Sequence, residues 1–176
     1  ASGQHRWSHC FLRGKTGTIT MATAQRGKLN LDSAPSAQGL HIALVVSEWN
    51  NDITGGLRDG AIDTLIQIGI EPDHVIVHSV PGSFELIHGC KVAAESGQYD
   101  AVIAIGSVIR GETAHFEFVC SGVTQGIALL NATGNIPVIF CLLTDDNREQ
   151  SIARSGGSMG NKGSEAAVAA VKMCQP

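Results

Sequence analysis

From His41 onward the chain alternates between two apolar rhythms. His41-Ile-Ala-Leu-Val-Val46 is a continuous apolar run, which suits a strand buried on both faces. Asn50-Asn51-Asp52 offers N-cap chemistry. Ile53, Leu57, Ala61, Leu65 and Ile68 then recur at helical spacing until Gly69 stops the helix. Residues 74–80 form a second strand, turned by Pro81-Gly82, and Leu86, Cys90 and Ala93-Ala94 mark a second helix. A third strand spans 101–106. Phe118, Gly122, Ile127 and Leu130 support a third helix, closed around Gly134. The fourth strand is 137–143. A short helix covers 148–154, residues 156–160 break it, and an Ala-rich helix covers 164–173. Strands alternating with helices at this spacing predict an α/β fold with a parallel sheet and right-handed crossovers. The expected form is a flavodoxin-like three-layer α/β/α sandwich on a four-stranded parallel sheet.

The segment before His41 lacks this regularity. Residues 1–20 mix Gly, Ser, Thr, His and Arg without periodicity, and Met21 follows them. Met21 reads as a natural start, with 1–20 an upstream or appended extension. The alternative is a short basic arm for nucleic acid or a partner. Residues 21–40 form an N-terminal arm, in which Lys28-Leu-Asn-Leu31 alternates as a short edge strand would. The regular domain is 41–176.

At 176 residues the chain suits one core and is too short for two. Aromatics are only 5%, which fits a core of Val, Ile, Leu and Ala. Net charge is −4, yet Arg6, Arg13, Lys15, Arg26 and Lys28 all precede the first acid, Asp32. The acidic body argues against nucleic acid as a partner. No apolar run reaches membrane-spanning length, and Cys10-Phe11-Leu12 is too short for a signal core. The five cysteines are widely spaced with no CxxC pair, so no zinc site or redox dithiol is indicated. Free thiols in a reducing cytoplasm are the expectation.

All strand C-termini lie on one edge of a parallel sheet, where ligands bind. The first delivers Glu48, Trp49 and Asn50, and the second Ser83, Phe84 and Glu85. The third leads into Gly106-Ser-Val-Ile-Arg-Gly-Glu-Thr-Ala-His115, a loop and helix start suited to an anion. The fourth delivers Thr144 and Asp145, with Arg154 and Lys162 beyond. Trp49 and Phe84 read either as core caps or as stacking rings. Glu85 reads as a first-turn helix acid or as an acceptor for hydroxyls. Gly111-Glu-Thr113 reads as a helix entry capped by Thr113, or as backbone N–H groups and a hydroxyl on phosphate. No Walker or Rossmann spacing is present. His115 is a structural histidine or a proton shuttle whose charged form an anion would favour. Arg154 offers bidentate phosphate recognition, or a surface pairing with Glu149 or Gln150. Lys162, in Gly160-Asn-Lys-Gly163, is a solvated loop lysine or a shaped cationic group. Asp145-Asp146 reads as a helix N-cap with first-turn acids. The other histidines show no ligand spacing and read as structural or solvated.

Several separate motifs, in order, resemble the lumazine synthase family over residues 41–173. They are Ser47-Glu-Trp-Asn50, Val80-Pro-Gly-Ser-Phe-Glu85, the segment 106–115, Pro137-Val-Ile-Phe140, Leu143-Thr144, Glu149-Gln150, Ala153-Arg154 and Gly160-Asn-Lys-Gly-Ser-Glu-Ala-Ala167. The resemblance implies condensation of 5-amino-6-(D-ribitylamino)uracil with L-3,4-dihydroxy-2-butanone 4-phosphate. The products are 6,7-dimethyl-8-ribityllumazine, phosphate and water, with no cofactor or metal. It implies His115 as proton donor and acceptor, and Trp49, where the family often has Phe, stacked on the pyrimidine. Asn50, Ser83, Phe84, Glu85, Ser107, Val108, Ile109 and Lys162 would line the pyrimidine and ribityl site. Glu112, through its N–H, Thr113 and Arg154 would hold phosphate, and Phe140 would arrive from an adjacent subunit. The implied partners are the two small-molecule substrates and other copies, as a pentamer. Twelve pentamers would form an icosahedral shell, because the segment 156–160 is short. Riboflavin synthase is a further expected partner, and a membrane is not. The strand at 28–31 would join a neighbour's sheet. Two alternatives stay open: a shell used as a scaffold displaying residues 1–20, and a flavin- or lumazine-binding carrier on the same fold.

Overall fold

Four apolar runs become one parallel sheet in the order β2-β1-β3-β4. They are β1 (Ile42–Ser47), β2 (Val75–Val80), β3 (Ala101–Ile109) and β4 (Val138–Asp145). The computed structural model describes Leu29 and residues 31–175. The order and the flanking helices are the flavodoxin-like arrangement expected from the sequence. The expected edge strand at 28–31 rests on Lys28 and Asn30, which lie outside the described residues, as does the extension 1–20.

Strand alternation sorts the core into two layers. Ile42, Leu44 and Val46 of β1 pack with Ile53, Leu57, Ala61 and Leu65 of α1 (Asn51–Gln67) and Ala167, Ala170 and Val171 of α5 (Lys162–Cys174). Ala43 and Val45 face Leu86 and Cys90 of α2 (Leu86–Glu95) and Val123 and Ile127 of α3 (His115–Thr133). β1 and the first seven residues of β3 are buried throughout, as continuous apolar runs require. β2 is an edge strand and leaves Ile76 and Val77 more than 40% exposed. It begins one residue later than expected, because Pro72–His74 forms a 3-10 turn.

The last third of the chain positions Lys162. Helix α4 (Arg148–Arg154) has the predicted bounds, and the antiparallel pair β5 (Ser155–Gly157) and β6 (Gly160–Asn161) follows it. Asn161 then caps α5. Its Oδ1 accepts from the Gly163 and Ser164 N–H groups, and its Nδ2 donates to the Gly56 carbonyl of α1 at 2.8 Å. A buried polar group without partners costs about 1–3 kcal/mol, so these bonds fix the entry to α5. Glycine permits the approach: a Cβ on Gly163 would lie 1.8 Å from the Leu57 carbonyl oxygen, and one on Gly60 would meet the Asn161 carboxamide. Lys162 is therefore the first residue of a locked helix and not a loop lysine.

Candidate active site

At the end of β1 the backbone turns sharply. Asn50 sits in the left-handed region at φ 57° and ψ 47°. It precedes α1, as expected, but its side chain does not cap the helix. Its Nδ2 donates instead to the Ser107 carbonyl at 3.1 Å, tying the end of β1 to the end of β3. Trp49, at the same turn, is 74% exposed. That removes the core-cap reading and leaves a ring available for stacking. Glu48 is held sideways: its N–H donates to the Val80 carbonyl and its Oε1 accepts from Ser79 Oγ.

The turn after β2 presents Ser83, Phe84 and Glu85. Ser83 is buried with its hydroxyl toward Gly106, and the half-exposed Phe84 ring lies against Gly122 of α3. Glu85 is exposed immediately before α2. β3 runs three residues further than the sequence pattern suggested. Ser107, Val108 and Ile109 pair with Leu143, Thr144 and Asp145 of β4, which itself runs two residues further than expected, so they are strand and not loop. The hydroxyls of Ser47 and Ser107 are buried without a hydrogen-bond partner.

Loop 110–114 then leads to His115, the exposed first residue of α3. Ala114 stands at the N-cap position with no side-chain bond, so the expected cap by Thr113 does not form. Among the described residues, no backbone carbonyl accepts from the N–H groups of Gly111, Glu112 or Thr113. These exposed N–H groups lie just before the N-cap of a 19-residue helix, where the positive end of the helix favours an anion. Arg110 does not face that seat. Its Nε donates to Asp146 Oδ1 at 2.8 Å, its Nη1 donates to Glu117 Oε1, and its Cζ lies 4.2 Å from the Phe116 ring centroid. The bond from Arg110 holds the Glu117 carboxyl below its usual range.

A second group of candidates lies elsewhere. Phe140, Arg154 and Lys162, with Thr144, Asp145 and Glu165, line a cavity of about 400 Å³ along the outer edge of β4. Phe140 is 43% exposed and pairs with Ala104, five residues before the end of β3 at Ile109. At a rise of about 3.3 Å per residue, that is roughly 16 Å down the sheet from the loop. Arg154 donates from Nη1 to the Gln150 carbonyl at 3.0 Å. None of the ion pairs among the described residues involves it, so of the alternative surface pairing with Glu149 or Gln150 only the Gln150 contact forms. Lys162 Nζ contacts both Glu165 oxygens, at 2.8 and 2.9 Å. Asp145 accepts from Ser151 Oγ, and the cap of α4 is Asn147, so the expectation of a cap at Asp145-Asp146 fails. Cys141 also lines this cavity, but burial pushes its thiol up to about 12, which excludes a neutral-pH thiolate.

One chain thus gathers Trp49, Asn50, Ser83, Phe84, Glu85, Ser107, Val108, Ile109, Glu112, Thr113 and His115 along the C-terminal strand edge. It gathers Phe140, Arg154 and Lys162 at the β4 edge, and no residue of the first group lines that cavity. Sequence reasoning missed Glu165, which its i,i+3 spacing from Lys162 could have revealed. It also missed the commitments of Arg110. No cluster of three or more metal-capable side chains occurs among the described residues. Nor is any helix there long and apolar enough to cross a membrane.

The 6,7-dimethyl-8-ribityllumazine synthase family model matches residues 39–176. The 6,7-dimethyl-8-ribityllumazine synthase of Christiangramia forsetii is 56% identical over 145 residues, covering 82% of this chain and 86% of that protein. The Flavobacterium psychrophilum protein of the same name is 54% identical over 155 residues, covering 87% and 82%. That of Parabacteroides distasonis is 52% identical over 155 residues, covering 87% and 97%.

Proposed function

The chain belongs to the 6,7-dimethyl-8-ribityllumazine synthase family, and on that premise we propose that each active site is assembled from two neighbouring copies. The enzyme is a transferase acting at the penultimate step of riboflavin biosynthesis. It condenses 5-amino-6-(D-ribitylamino)uracil with L-3,4-dihydroxy-2-butanone 4-phosphate, and releases 6,7-dimethyl-8-ribityllumazine, phosphate and water. The observation that carries the shared site is the place of Phe140, 43% exposed beside Ala104 and so about 16 Å down the sheet from loop 110–114. Phe140, Arg154 and Lys162 of one copy then face the strand-end residues of the next.

In this reading Trp49 stacks on the pyrimidine, and Phe140 of the neighbour closes over it. Asn50 helps through its hold on the Ser107 carbonyl, which sets the strand end that meets the ring. Ser83, Phe84 and Glu85 receive the ribityl chain, with Ser107, Val108 and Ile109 at the pyrimidine edge. The N–H groups around Glu112 and Thr113 take the phosphate with Arg154 of the neighbour. Lys162 adds positive charge, tempered by Glu165. His115 carries protons as the amine condenses with the ketone, phosphate leaves and the second ring closes. No cofactor or metal takes part. Holding two reactants together supplies about 7–11 kcal/mol, whereas a proton shuttle adds a factor of about 10²–10⁴. Positioning is therefore the larger contribution.

A site built from unlike patches of adjacent copies is a head-to-tail contact, which generates a ring where the rotation closes. A pentameric ring, with twelve rings in a shell, extends the family resemblance; the short β5–β6 hairpin is compatible with the shell. The open edge of β2, with Ile76 and Val77 exposed, suits an added strand from a neighbour. The proposed location is the cytoplasm, and riboflavin synthase is a further proposed partner.

The test is product fluorescence from the two substrates across a dilution series, with particle size followed by light scattering. Turnover is expected only in assembled fractions. Full turnover by isolated monomers would overturn the shared site.

A further inference from the structure

One charged cluster has no direct role in the site: Arg110 with Asp146, Glu117 and Phe116. We infer that Arg110 is a positioning residue for the lumazine-forming reaction, holding loop 110–114 and the first turn of α3 in the setting that presents His115 and the free N–H groups. This rests on the reading of that loop as the phosphate seat.

Three elements meet at this one side chain. Its own N–H donates to the Asp145 carbonyl at the end of β4, and its Nε reaches Asp146. Its Nη1 reaches Glu117 in the first turn of α3. Its cationic carbon lies over the ring of Phe116, which is only 9% exposed and so anchors the stack to the body of the protein. No other side chain of loop 110–114 makes a hydrogen bond among the described residues, and Gly111, Glu112 and Thr113 donate to no backbone carbonyl. The loop is thus pinned at its two ends by Arg110 and is open between them.

The cluster contains one cation and two carboxylates, so it adds no net attraction for phosphate. Its contribution is geometric. A lysine keeps the charge but loses the planar fork that reaches two carboxylates while stacking on a ring. Arg110→Lys therefore separates geometry from charge.

The experiment uses steady-state kinetics on the assembled enzyme, with inorganic phosphate as a competitive probe of the seat. Arg110→Ala is expected to raise the KM for the phosphate-bearing substrate and the Ki of inorganic phosphate about fivefold, the scale of coupling between contacting residues. The KM for the pyrimidine should stay within about twofold of its starting value, because coupling fades for sites that share no partner. Arg110→Lys should behave like Arg110→Ala, and adding Glu117→Gln to Arg110→Ala should cause no further loss. A normal Arg110→Lys enzyme would overturn the inference, as would equal changes in both KM values. If Arg110→Ala does not assemble, Arg110→Lys and Asp146→Asn give the same readout. Thr113→Ala and Arg154→Ala serve as controls. If neither moves the phosphate Ki, the phosphate reading itself fails. If they move it and the Arg110 variants do not, only the positioning role fails.

Discussion

Replacing His115 with alanine is expected to lower kcat about a hundredfold, toward the lower end of what a positioned proton shuttle contributes, with both KM values little changed. His115 is the first residue of α3 and is exposed, so its removal creates no cavity and should leave folding and assembly intact. The stack in this turn is Arg110 on Phe116, and it does not use the His115 ring. The loss should therefore fall on proton movement during imine formation and phosphate departure, with substrates bound as before. Presteady-state formation of the fluorescent product, compared with equilibrium binding of the pyrimidine, separates the two. Unchanged kcat would remove His115 from the chemistry, and a loss confined to KM would make it a binding residue. The loss is not expected to be total, because holding two reactants together is the larger contribution.

Arg154→Ala is expected to raise the KM for the phosphate-bearing substrate by about ten- to a hundredfold, the scale of losing a charge-assisted hydrogen bond to an anion. The KM for the pyrimidine should move far less. The guanidinium is well placed for such a role. It lies half-buried in the β4-edge cavity and spends one donor on the Gln150 carbonyl. Among the described residues no carboxylate pairs with it, in contrast to Arg110, Arg148 and Lys162, each of which is ion-paired. An arginine held without a counter-ion needs little rearrangement to accept a phosphate. Steady-state kinetics with each substrate varied in turn checks the asymmetry. Equal effects on both substrates would point to a general disturbance of the cavity and away from phosphate recognition.

The layered fold was legible because burial on both faces leaves a plain record in the sequence. The strand at 42–47 and the apolar spacing of α1 carry that record directly, and the glycines of 156–160 mark the end of α4, although its cap is Asn147 and not Asp145-Asp146. Local chemistry was less legible wherever a side chain had two possible partners. Asn50 suits a helix cap by residue type, yet its amide goes across the sheet to Ser107, a choice that depends on a strand residue 57 positions away. Thr113 and Asp145 suit caps in the same way, since capping is a common local use of those residue types. Ser107, Val108 and Ile109 read as loop because Gly106 and a serine interrupt the apolar run. Pairing with β4 overrides that signal. The motifs of the site were visible as motifs, but only the resemblance set Phe140 on another copy, and nothing grouped Arg154 and Lys162 with it. That grouping follows from Phe140 standing beside Ala104 and from Lys162 being locked onto α1, and sequence spacing encodes neither.

The shared site is the central claim, and mixing two defective subunits tests it most directly. His115→Ala and Arg154→Ala chains are dissociated together, reassembled at equal ratio, and assayed with the phosphate-bearing substrate held low. If His115 and Arg154 of each site come from different copies, about a quarter of the ring contacts in a random mixture join two intact halves. Activity should then rise to roughly a quarter of the unmutated level, well above the mean of the two variants assayed alone. If mass measurement confirms mixed oligomers and activity stays at that mean, both residues serve one site from one chain, and the shared-site account is wrong.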